Sequence, residues 1–505
     1  MHIFLALDIG TTSVKGCAFD EGFNRIASFH REYTLHTPCA HFVEMDPDGY
    51  WAAVTGGIRD LLAGGLKAED IACVAFTTQG ETMIPVDAAG NPLSQAIVWL
   101  DDRAQEEARR LSAEIDADTF YHTTGIPELG AATPVAKLLW HARQAGFSPK
   151  VYKYLLLEDY LILRMTGKFV TEQSLLSSTG YFDIVKRRYW PEALRACGVR
   201  EDQLPQILPS GVQAGVVTQA AALQTGLRAG TPVMTGAMDQ VCAAIGAGNV
   251  QEGILAENTG TCLAVTATIR EPSFSPDRSV PVYAHFDQRF LLLAYNPTAA
   301  MVLKWFKDQF MGEYAGNLKE GQNIYDALTA LAAEAPALCG GVTLIPHFSG
   351  RLFPEADGDM RGALVGLNLG TTRADCIRAI LEGVAFMLRQ SVQAVQNLGA
   401  AVEEIRAVGG ASVSPLWNQI KADVSGFPIT AMRESESTAL GAAMLGALGL
   451  GMHAGMAQLS QRYIAGRHTY MPEAAMRQIY DRGFARFEEI NRRLSGLRVD
   501  MDGNR

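Results

Sequence analysis

The sequence predicts an α/β protein with two large domains. Its 505 residues exceed what one hydrophobic core normally supports. Apolar segments of strand length alternate with longer segments of helical apolar spacing in both halves of the chain, which is the pattern of a layered α/β fold. One short unit, an apolar strand, a turn rich in Gly and Thr, and a second apolar strand, occurs near the N-terminus and again near the middle. This repeat favours two halves of similar design.

The first half begins with strand-like segments separated by turn residues. A helix is predicted next, because Asp46 can cap its N-terminus and Pro47 suits the first helical position. The unbroken apolar run that follows is typical of a strand covered on both faces of its sheet. The predicted elements are strands at residues 3–8, 14–20, 25–33 and 71–76 and a helix at residues 47–63.

The second half repeats the alternation. Ile377, Ile380, Leu381 and Val384 lie on one face of a long predicted helix. The predicted elements are strands at residues 253–257, 262–267, 405–408 and 429–431 and helices at residues 372–398, 415–425 and 438–448. The domain boundary is predicted just after Asp239, in the small-residue segment 241–248, which gives domains 1–245 and 246–505. No segment there has the composition of a flexible linker, so the halves are expected to share an interface and hinge about it.

Composition excludes several classes of function. The formal net charge of −11 argues against nucleic acid as a partner, because such binding needs clustered Lys and Arg. The eight cysteines form no Cys-x-x-Cys pair, so reduced thiols are expected rather than a zinc site or disulfides. The N-terminus lacks a leader pattern, and no apolar segment is long enough to span a bilayer. These features predict a cytoplasmic protein with no membrane partner.

The repeated unit suggests phosphate binding. The turn of the first copy follows Asp8 and contains Gly10, and the turn of the second contains Gly260. Such turns expose backbone N–H groups and hydroxyls to anionic oxygens, and the Asp8 carboxylate is a suitable ligand for Mg²⁺. One copy alone favours an ordinary β-hairpin. Two copies on opposite halves favour a nucleotide triphosphate held between them.

Together with these turns, nearly the whole chain resembles the FGGY family of carbohydrate kinases. The most specific match is residues 362–367 (GALVGL), followed by Asp375 and residues 379–383 (AILEG); Cys376 stands where an aliphatic residue is usual. In the looser first-half signature, Pro134, Lys137, Leu138 and Trp140 fit, whereas Ala132 and His141 depart. The shorter matches are residues 8–12 and 258–261 to the two phosphate loops, 238–240 to the catalytic segment, and 409–412 with 416–419 to the adenosine-binding turn and helix.

The resemblance implies two actin-like ATPase (ribonuclease H-like) domains with an active-site cleft between them. It also implies transfer of the γ-phosphoryl group of ATP, with Mg²⁺, to a hydroxyl of a sugar or polyol. A homodimer is implied by the resemblance alone. Phosphoryl transfer independently requires a carboxylate that accepts the proton of the acceptor hydroxyl. Asp239 is assigned this role, although an Asp that precedes a small-residue helix is also common as an N-cap.

The other candidate residues fall into three groups. Any of the threonines among them is also compatible with a plain strand position, a Gly-Gly pair with a plain turn, and Asp101 with Arg103 with an exposed helix start bearing a local ion pair. Asp8 is expected to position the metal. The nucleotide candidates are Gly10, Thr11, Thr12, Lys15, Thr259, Gly260, Thr261, Gly409, Gly410, Ala411 and Asn418. The sugar candidates are Gln79, Gly80, Glu81, Trp99, Asp101, Arg103, Asp159 and Gln240.

The substrate signals are mixed. Xylulokinases typically carry Met-His where this chain has Gly80-Glu81, and glycerol kinases typically carry Arg-Glu, so Glu81 resembles the glycerol kinase side. Residues 99–103 (WLDDR) instead resemble the xylulokinase side. A ketopentose is the preferred prediction; gluconate, L-fuculose, ribulose, erythritol and glycerol are alternatives.

Two other functional classes share the predicted architecture. Actin-like and Hsp70-like ATPases carry the same paired loops and couple nucleotide state to assembly or client binding. A catalytically idle sugar-binding regulator is the third class. The whole-chain resemblance and the presence of Asp239 favour the kinase over both.

Overall fold

The computed structural model describes residues 2–316, 318, 321–495 and 497. Its first half contains the following strands: β1 Ile3–Ile9, β2 Ser13–Phe19, β3 Arg25–Glu32, β4 Glu44–Met45, β5 Ile71–Thr78, β6 Met83–Val86, β7 Ala96–Ile97, β8 Lys153–Leu156, β9 Val170–Glu172, β10 Phe182–Asp183, β11 Arg188–Tyr189, β12 Gln206–Leu208, β13 Gln213–Val216 and β14 Pro232–Met238. Its helices are α1 Pro47–Ala63, α2 Gln105–Glu114, α3 Ala117–Thr124, α4 Pro134–Arg143, α5 Leu157–Thr166, α6 Gln173–Leu176, α7 Pro191–Cys197, α8 Gln219–Thr225 and α9 Asp239–Gly246.

The second half contains the strands β15 Gly253–Thr259, β16 Leu263–Ile269, β17 Val282–Ala284, β18 Phe290–Asn296, β19 Thr343–Ile345, β20 Ala363–Val365, β21 Val402–Val408, β22 Ile429–Met432 and β23 Gly466–Tyr470. Its helices are α10 Ala300–Phe310, α11 Gly312–Gly316, α12 Ile324–Ala332, α13 Arg373–Asn397, α14 Pro415–Ser425, α15 Ser437–Gly449, α16 Met456–Tyr463 and α17 Ala474–Leu494. Short 3₁₀ turns lie at Ala68–Asp70, Ser148–Lys150, Glu201–Gln203, Cys339–Gly341 and Gly410–Val413.

Each half has a central mixed sheet, and the two sheets share one arrangement. The strand order is β13-β14-β5-β1-β2-β3 in the first and β17-β18-β16-β15-β21-β22-β23 in the second. In each, a hairpin (β1–β2 or β15–β16) is followed by a strand that pairs in parallel with the first strand of the hairpin, β5 or β21. The predicted repeat is therefore a repeat of structure.

The first sheet is covered on both faces, as the apolar run in β5 predicts. Because side chains alternate along a strand, Leu5 and Leu7 face α1, whereas Phe4 and Ala6 belong to the core on the opposite face. That second core is continuous with the apolar interior of the second half. The two halves thus share one body of buried side chains.

Helix α15, from the second half, covers this shared face and crosses α9. A Cβ on Gly246 would lie 1.8 Å from the Ser437 carbonyl oxygen, and a Cβ on Gly441 would lie 2.0 Å from the Cys242 carbonyl oxygen. The backbones of the two helices are therefore in direct contact. Farther along α15, Gly446 lies against Cys73 of the first sheet.

The predicted elements are confirmed, with shifts of a few residues at their ends. Helix α1 begins and ends as predicted, and the Asp46 side chain accepts a hydrogen bond from the Asp48 N–H. Helix α13 begins one residue later than predicted, because Thr372 is its N-cap. The apolar helix that contains three glycines is buried, as predicted. The boundary near Asp239 stays a prediction.

Candidate active site

The first Gly/Thr turn lies at the end of β1 and is braced from two sides. The Gly10 N–H donates to the Ser13 carbonyl (2.9 Å), and the Tyr33 hydroxyl donates to the Gly10 carbonyl. The Thr12 carbonyl accepts from the Tyr33 N–H (2.9 Å). The Thr11 hydroxyl accepts a hydrogen bond from Trp99 Nε1 (2.9 Å). The turn is therefore preorganised, and a predicted sugar residue is bonded to a predicted phosphate residue.

Asp8 lies near the end of β1, and Asp239 directly follows β14; the two carboxyl groups interact through their charges. Burial, with a contribution from the charge of Asp239, raises the pKa of Asp8 to about 7. Burial likewise raises the pKa of Asp239 to about 7, with a contribution from Glu81. Because both strands flank β5, the topology places three carboxylates at one edge of the sheet. Such a cluster favours a bound cation or a proton.

Asp239 is the first residue of α9 rather than its N-cap, which is Met238. Its Oδ1 accepts the N–H of Gln240 at 2.6 Å. The predicted position of the carboxylate at a helix N-terminus is thus observed, and one carboxylate oxygen remains directed away from that bond. Among the described residues, the Gln240 side chain has no hydrogen-bond partner.

The segment after β5 lies beside this acid cluster. The Gln79 N–H donates to the Ile9 carbonyl (3.0 Å), which ties the segment to the first hairpin. A Cβ on Gly80 would lie 3.4 Å from the Met238 sulfur. Glu81 has a φ of +59°, a left-handed conformation that is strained for a side chain other than Gly. The Glu81 carboxyl is hydrogen-bonded by Ser178, and its charge raises the pKa of Asp239.

Gln79 is a buried amide with an incomplete set of partners. Its Nε2 lies 3.4 Å from the Tyr50 hydroxyl, and its Oε1 has no hydrogen-bond partner in the described residues. An unsatisfied buried amide oxygen costs free energy unless a ligand or water donates to it. Gln79 therefore suits a hydroxyl ligand.

Lys137, in α4, supports this segment, and the motif that contains it did not reveal that role. Its buried ammonium donates to the Val98 carbonyl (2.9 Å) and lies 3.4 Å from the Glu81 carbonyl. Burial lowers the pKa of Lys137 to about 8, against the opposing charges of Asp101 and Glu81. A single Lys in the otherwise apolar helix segment 134–140 is the sequence signal that could have found it.

Asp101 and Arg103 form an ion pair that is buried rather than exposed. Arg103 donates to Asp101 at 2.6 Å and to Glu44 at 2.7 Å, and Asp101 also accepts the Val43 N–H at 2.6 Å. The guanidinium stacks 3.8 Å over the Phe42 ring. These contacts fix the loop that carries Trp99. The local ion pair that the sequence offered as the alternative to a sugar contact is therefore present. A direct sugar contact by either residue stays a prediction.

The structure does not bring Asp159 to the other candidates. Its carboxylate accepts the Leu156 N–H (2.8 Å) at the start of α5. Burial raises its pKa to about 8. Its assigned partners are those of a buried helix cap.

The second turn, at the end of β15, has a different electrostatic environment. Lys421 donates to Glu257 (2.6 Å) and to the Thr259 hydroxyl (2.9 Å), and the side chains of Lys421 and Glu257 are both 0% exposed. The Thr259 hydroxyl donates to Glu257 (2.6 Å). Thr259 is thus engaged within the core, which leaves Gly260 and Thr261 to face a ligand.

A cavity of about 300 Å³ opens beside this second turn. Its walls include Gly260, Thr261, Gly410 and Ala411, so the structure brings together predicted phosphate and adenosine residues. Gly409 has a φ of +79°, and a Cβ there would lie 2.2 Å from Asn258 Oδ1, so only Gly fits. The start of α12 and Met301 of α10 form the opposite wall, which the sequence motifs did not indicate.

Two nucleotide candidates have partners within the protein. Asn418 is buried and donates to the Ser412 carbonyl (2.7 Å), so it braces the adenosine turn from behind. Lys15 lies 3.1 Å from Glu436, at the start of α15, and thereby bridges the two halves. Contacts of these side chains with nucleotide stay predictions.

Tyr283, in β17, is a site residue that sequence reasoning missed. Burial raises the pKa of its hydroxyl, and the charges of Glu81 and Asp239 raise it as well. The Val282 N–H donates to the Gly125 carbonyl of the first half (2.9 Å), so β17 is tied to both halves. Its strand carries no motif that could have signalled this position.

The donor set fits a hydrated divalent cation. Among the described residues there is no group of three or more His, Cys, Asp or Glu side chains that could hold a metal ion. Mg²⁺ in nucleotide sites typically retains several waters and takes one or two carboxylates plus phosphate oxygens. Asp8 beside Asp239 can provide the carboxylates.

In the described part of the chain, no helix is long and apolar enough to cross a membrane.

Paired hairpin turns, a nucleotide-sized cavity on one turn and an acid cluster on the other define a phosphotransferase of two similar domains. The models of the FGGY family of carbohydrate kinases match the chain, the N-terminal domain at residues 3–246 and the C-terminal domain at residues 257–450. The chain therefore belongs to this family and is an ATP-dependent carbohydrate kinase with the actin-like ATPase fold.

Relatives of known name carry different substrates in their names. The gluconokinase of Bacillus subtilis (strain 168) is 27% identical over 88% of this chain and 86% of its own. The xylulose kinase of Staphylococcus xylosus is 24% identical over 94% and 96%. The structure of ligand-bound xylulose kinase from Lactobacillus acidophilus matches with a TM-score of 0.89 and 24% identity, covering 98% of this chain and 99% of that one. The fold and the reaction class are shared across these different substrates.

Proposed function

We propose that this kinase phosphorylates a ketopentose, with Asp239 as the residue that accepts the proton of the acceptor hydroxyl. The observation that carries the assignment of Asp239 is its buried position at the first residue of α9, directly after β14, where its charge acts on Asp8; burial and Glu81 raise its pKa to about 7. A general base is most effective when its pKa lies near the working pH. Asp239 also begins a helix, α9, that leads toward the second half. Among the described carboxylates at this edge of the first sheet, it alone has that position.

The proposed reaction uses the two halves for different tasks. The acceptor hydroxyl oxygen attacks the γ-phosphorus of ATP, its proton passes to Asp239, and ADP leaves. Gly260 and Thr261 support the nucleotide phosphates, and the cavity that they border accepts adenosine. Mg²⁺, held near Asp8, neutralises phosphate charge when bound. Closure of the halves excludes water and limits ATP hydrolysis.

The proposed substrate class follows from the polar groups around Asp239. Gln79 offers an unpaired amide oxygen, and Glu81 offers a buried carboxyl group; amide and carboxylate oxygens accept hydrogen bonds from hydroxyl groups. The cation beneath them, Lys137, donates to backbone carbonyls. This set suits a neutral polyhydroxy compound better than a sugar acid, and residues 99–103 favour a ketopentose over glycerol.

The test is ADP release across ketopentoses, deoxysugars, aldonates, polyols and glycerol. We expect one ketopentose to stimulate turnover far above background, and Asp239→Asn to reduce that turnover by about 10²–10⁴-fold with its fold retained, because the proton acceptor is lost. Stimulation by gluconate alone would overturn the substrate assignment. Near wild-type transfer by Asp239→Asn would overturn the assignment of the base.

Three further expectations belong to this proposal. Mg²⁺ is expected as the physiological cation, since the Asp8 environment suits it. A homodimer and a cytoplasmic location stay predictions, to be checked by light scattering and by fractionation of cells.

A further inference from the structure

The strand that delivers Asp239 is interrupted just before that residue. Strand β14 pairs in parallel with β5, but its register shifts between Met234 and Ala237. A Cβ on Gly236, within the shift, would lie 1.4 Å from the Phe76 carbonyl oxygen, so no side chain fits there. Bulges of this kind redirect the side chains that follow them. Pairing with β5 resumes at Ala237 and Met238, so the position of Asp239 depends on the contacts that hold this last part of the strand.

Buried side chains from β9 and the following helix supply further contacts to this part of β14. The Ser174 hydroxyl accepts the N–H of Met238, the residue before Asp239, at 2.9 Å. The same hydroxyl donates to Glu172 Oε1 at 2.7 Å, which leaves its lone pairs available for Met238. Ser174 and Glu172 are both 0% exposed. The Gly236 N–H is taken separately by Glu158, at 3.2 Å.

Glu172 is itself held rigidly. Its carboxylate accepts the N–H groups of Ser174 (2.7 Å) and Leu175 and the hydroxyl of Ser210 (2.5 Å), in addition to the Ser174 hydroxyl. A carboxylate with four donors has little freedom to move, and charge-assisted bonds are the stronger kind. The Ser174 hydroxyl therefore has one fixed orientation: its hydrogen points at Glu172, and its oxygen faces the N–H of Met238 as an acceptor.

We infer that Ser174, oriented by Glu172, is a positioning residue that sets the location of the Asp239 carboxylate for phosphoryl transfer. The inference rests on the proposed role of Asp239. Ser174 does not itself touch the reacting atoms; it acts through one backbone N–H adjacent to the base. Because a displacement of about 1 Å in a catalytic group costs on the order of 10²-fold in rate, loss of this bond acts on kcat rather than on ligand binding.

The test compares Ser174→Ala with Ser425→Ala. Ser425 is a matched control in the second half: it is buried, and its hydroxyl accepts the Phe427 N–H at 3.3 Å. We expect Ser174→Ala to lower kcat by about 10–100-fold with the KM values for ATP and sugar within a factor of about two, and Ser425→Ala to retain wild-type kcat. Ser174→Thr, which keeps the hydroxyl, is expected to restore most of the rate. Equal kcat in the Ser174→Ala and Ser425→Ala variants would overturn the inference.

A second measurement does not require a sugar substrate. In protein labelled with ¹³C at the aspartate carboxyls, the Asp239 resonance is identified by its absence in Asp239→Asn. We expect that resonance to shift in Ser174→Ala and to stay in place in Ser425→Ala and Ser174→Thr. If wild-type protein transfers phosphate to no acceptor, the proposed function fails and this signal alone decides the inference. An unmoved resonance in folded Ser174→Ala would then overturn it.

Discussion

The two central hairpins share one backbone design and differ in where they place a carboxylate. In each, the turn glycine donates its N–H across the turn, Gly10 to Ser13 and Gly260 to Cys262, both at 2.9 Å. Asp8 stands two residues before its glycine, whereas Glu257 stands three before. Because neighbouring strand residues point to opposite faces, the first carboxylate faces the cleft and the second faces the core.

The consequences of that one-residue difference are large. Glu257 is neutralised by Lys421 in a fully buried ion pair. Burial and Asp239 raise the pKa of Asp8 to about 7, and Lys15, whose ammonium lies 3.1 Å from Glu436, offsets this rise only in part. The first hairpin keeps a carboxyl group that is costly to ionise and is available for chemistry. The second uses its charge to hold the turn in place.

Removal of the core cation should give the largest effect. Lys421→Met leaves the Glu257 charge buried without its partner, which costs about 3–5 kcal/mol of unfolding free energy. Urea denaturation measures this loss. The double variant Lys421→Met with Glu257→Gln should recover part of the stability, since no charge remains buried. A stability unchanged by the single variant would contradict the holding role of the pair.

Asp8→Asn should do the reverse, lowering activity without lowering stability. We expect kcat/KM to fall about 10–100-fold, with more Mg²⁺ needed for half-maximal rate. The folded pKa of about 7 lies above the unfolded value of about 3.9, so the stability contributed by the protonated group is present below about pH 4 and lost as the pH rises to about 7.

Removal of that carboxyl should therefore raise the melting temperature at pH 8 and leave little gain at pH 4. Thermal melts at the two pH values test this. A lower melting temperature at pH 8 would show that Asp8 holds the turn, as Glu257 does, and the comparison between the hairpins would fail.

The pH profile sharpens the comparison further. With a pKa of about 7, Asp239 is ionised in about a tenth of molecules at pH 6 and in about nine tenths at pH 8. The wild-type kcat should rise about tenfold over this interval and decline as pH falls through about 7. Steady-state rates at saturating substrates measure the profile. A flat profile would show that no cleft carboxylate limits the reaction.

The smallest expected effect concerns the link between the first turn and the sugar loop. Trp99→Phe removes the hydrogen bond to the Thr11 hydroxyl, worth about 0.5–1.5 kcal/mol. We expect kcat/KM for the sugar to fall about 2–10-fold. Thr11→Val should give a similar loss, and the double variant no more than either single one. Additive losses would mean that the two side chains act separately.

Much of this architecture was predictable from the sequence because its signals are local. Alternating apolar runs predict the strands, and cap residues such as Asp46 predict where a helix begins. Those inferences need only the pattern near each residue.

The remainder depends on contacts between distant segments, which no local pattern encodes. Lys137 and Tyr283 reach the site from α4 and β17, and neither element carries a phosphate motif. The hydrogen bond from the Met238 N–H to the Ser174 hydroxyl forms just beyond a bulge that the sequence does not reveal. An all-round apolar helix such as α15 predicts burial but does not specify the sheet that it covers.

The crossing of α15 over the first sheet has a consequence for how the chain is made. During synthesis, residues 1–246 emerge long before residues 437–449, so Phe4, Ala6 and Cys73 wait without the helix that finally shields them. While it is still bound to the ribosome, the first half therefore exposes an apolar surface. Chaperones bind such surfaces. The amino-terminal domain completes its fold only when residues 437–449 pack against it. The last part of translation is therefore a step in the folding of the first domain.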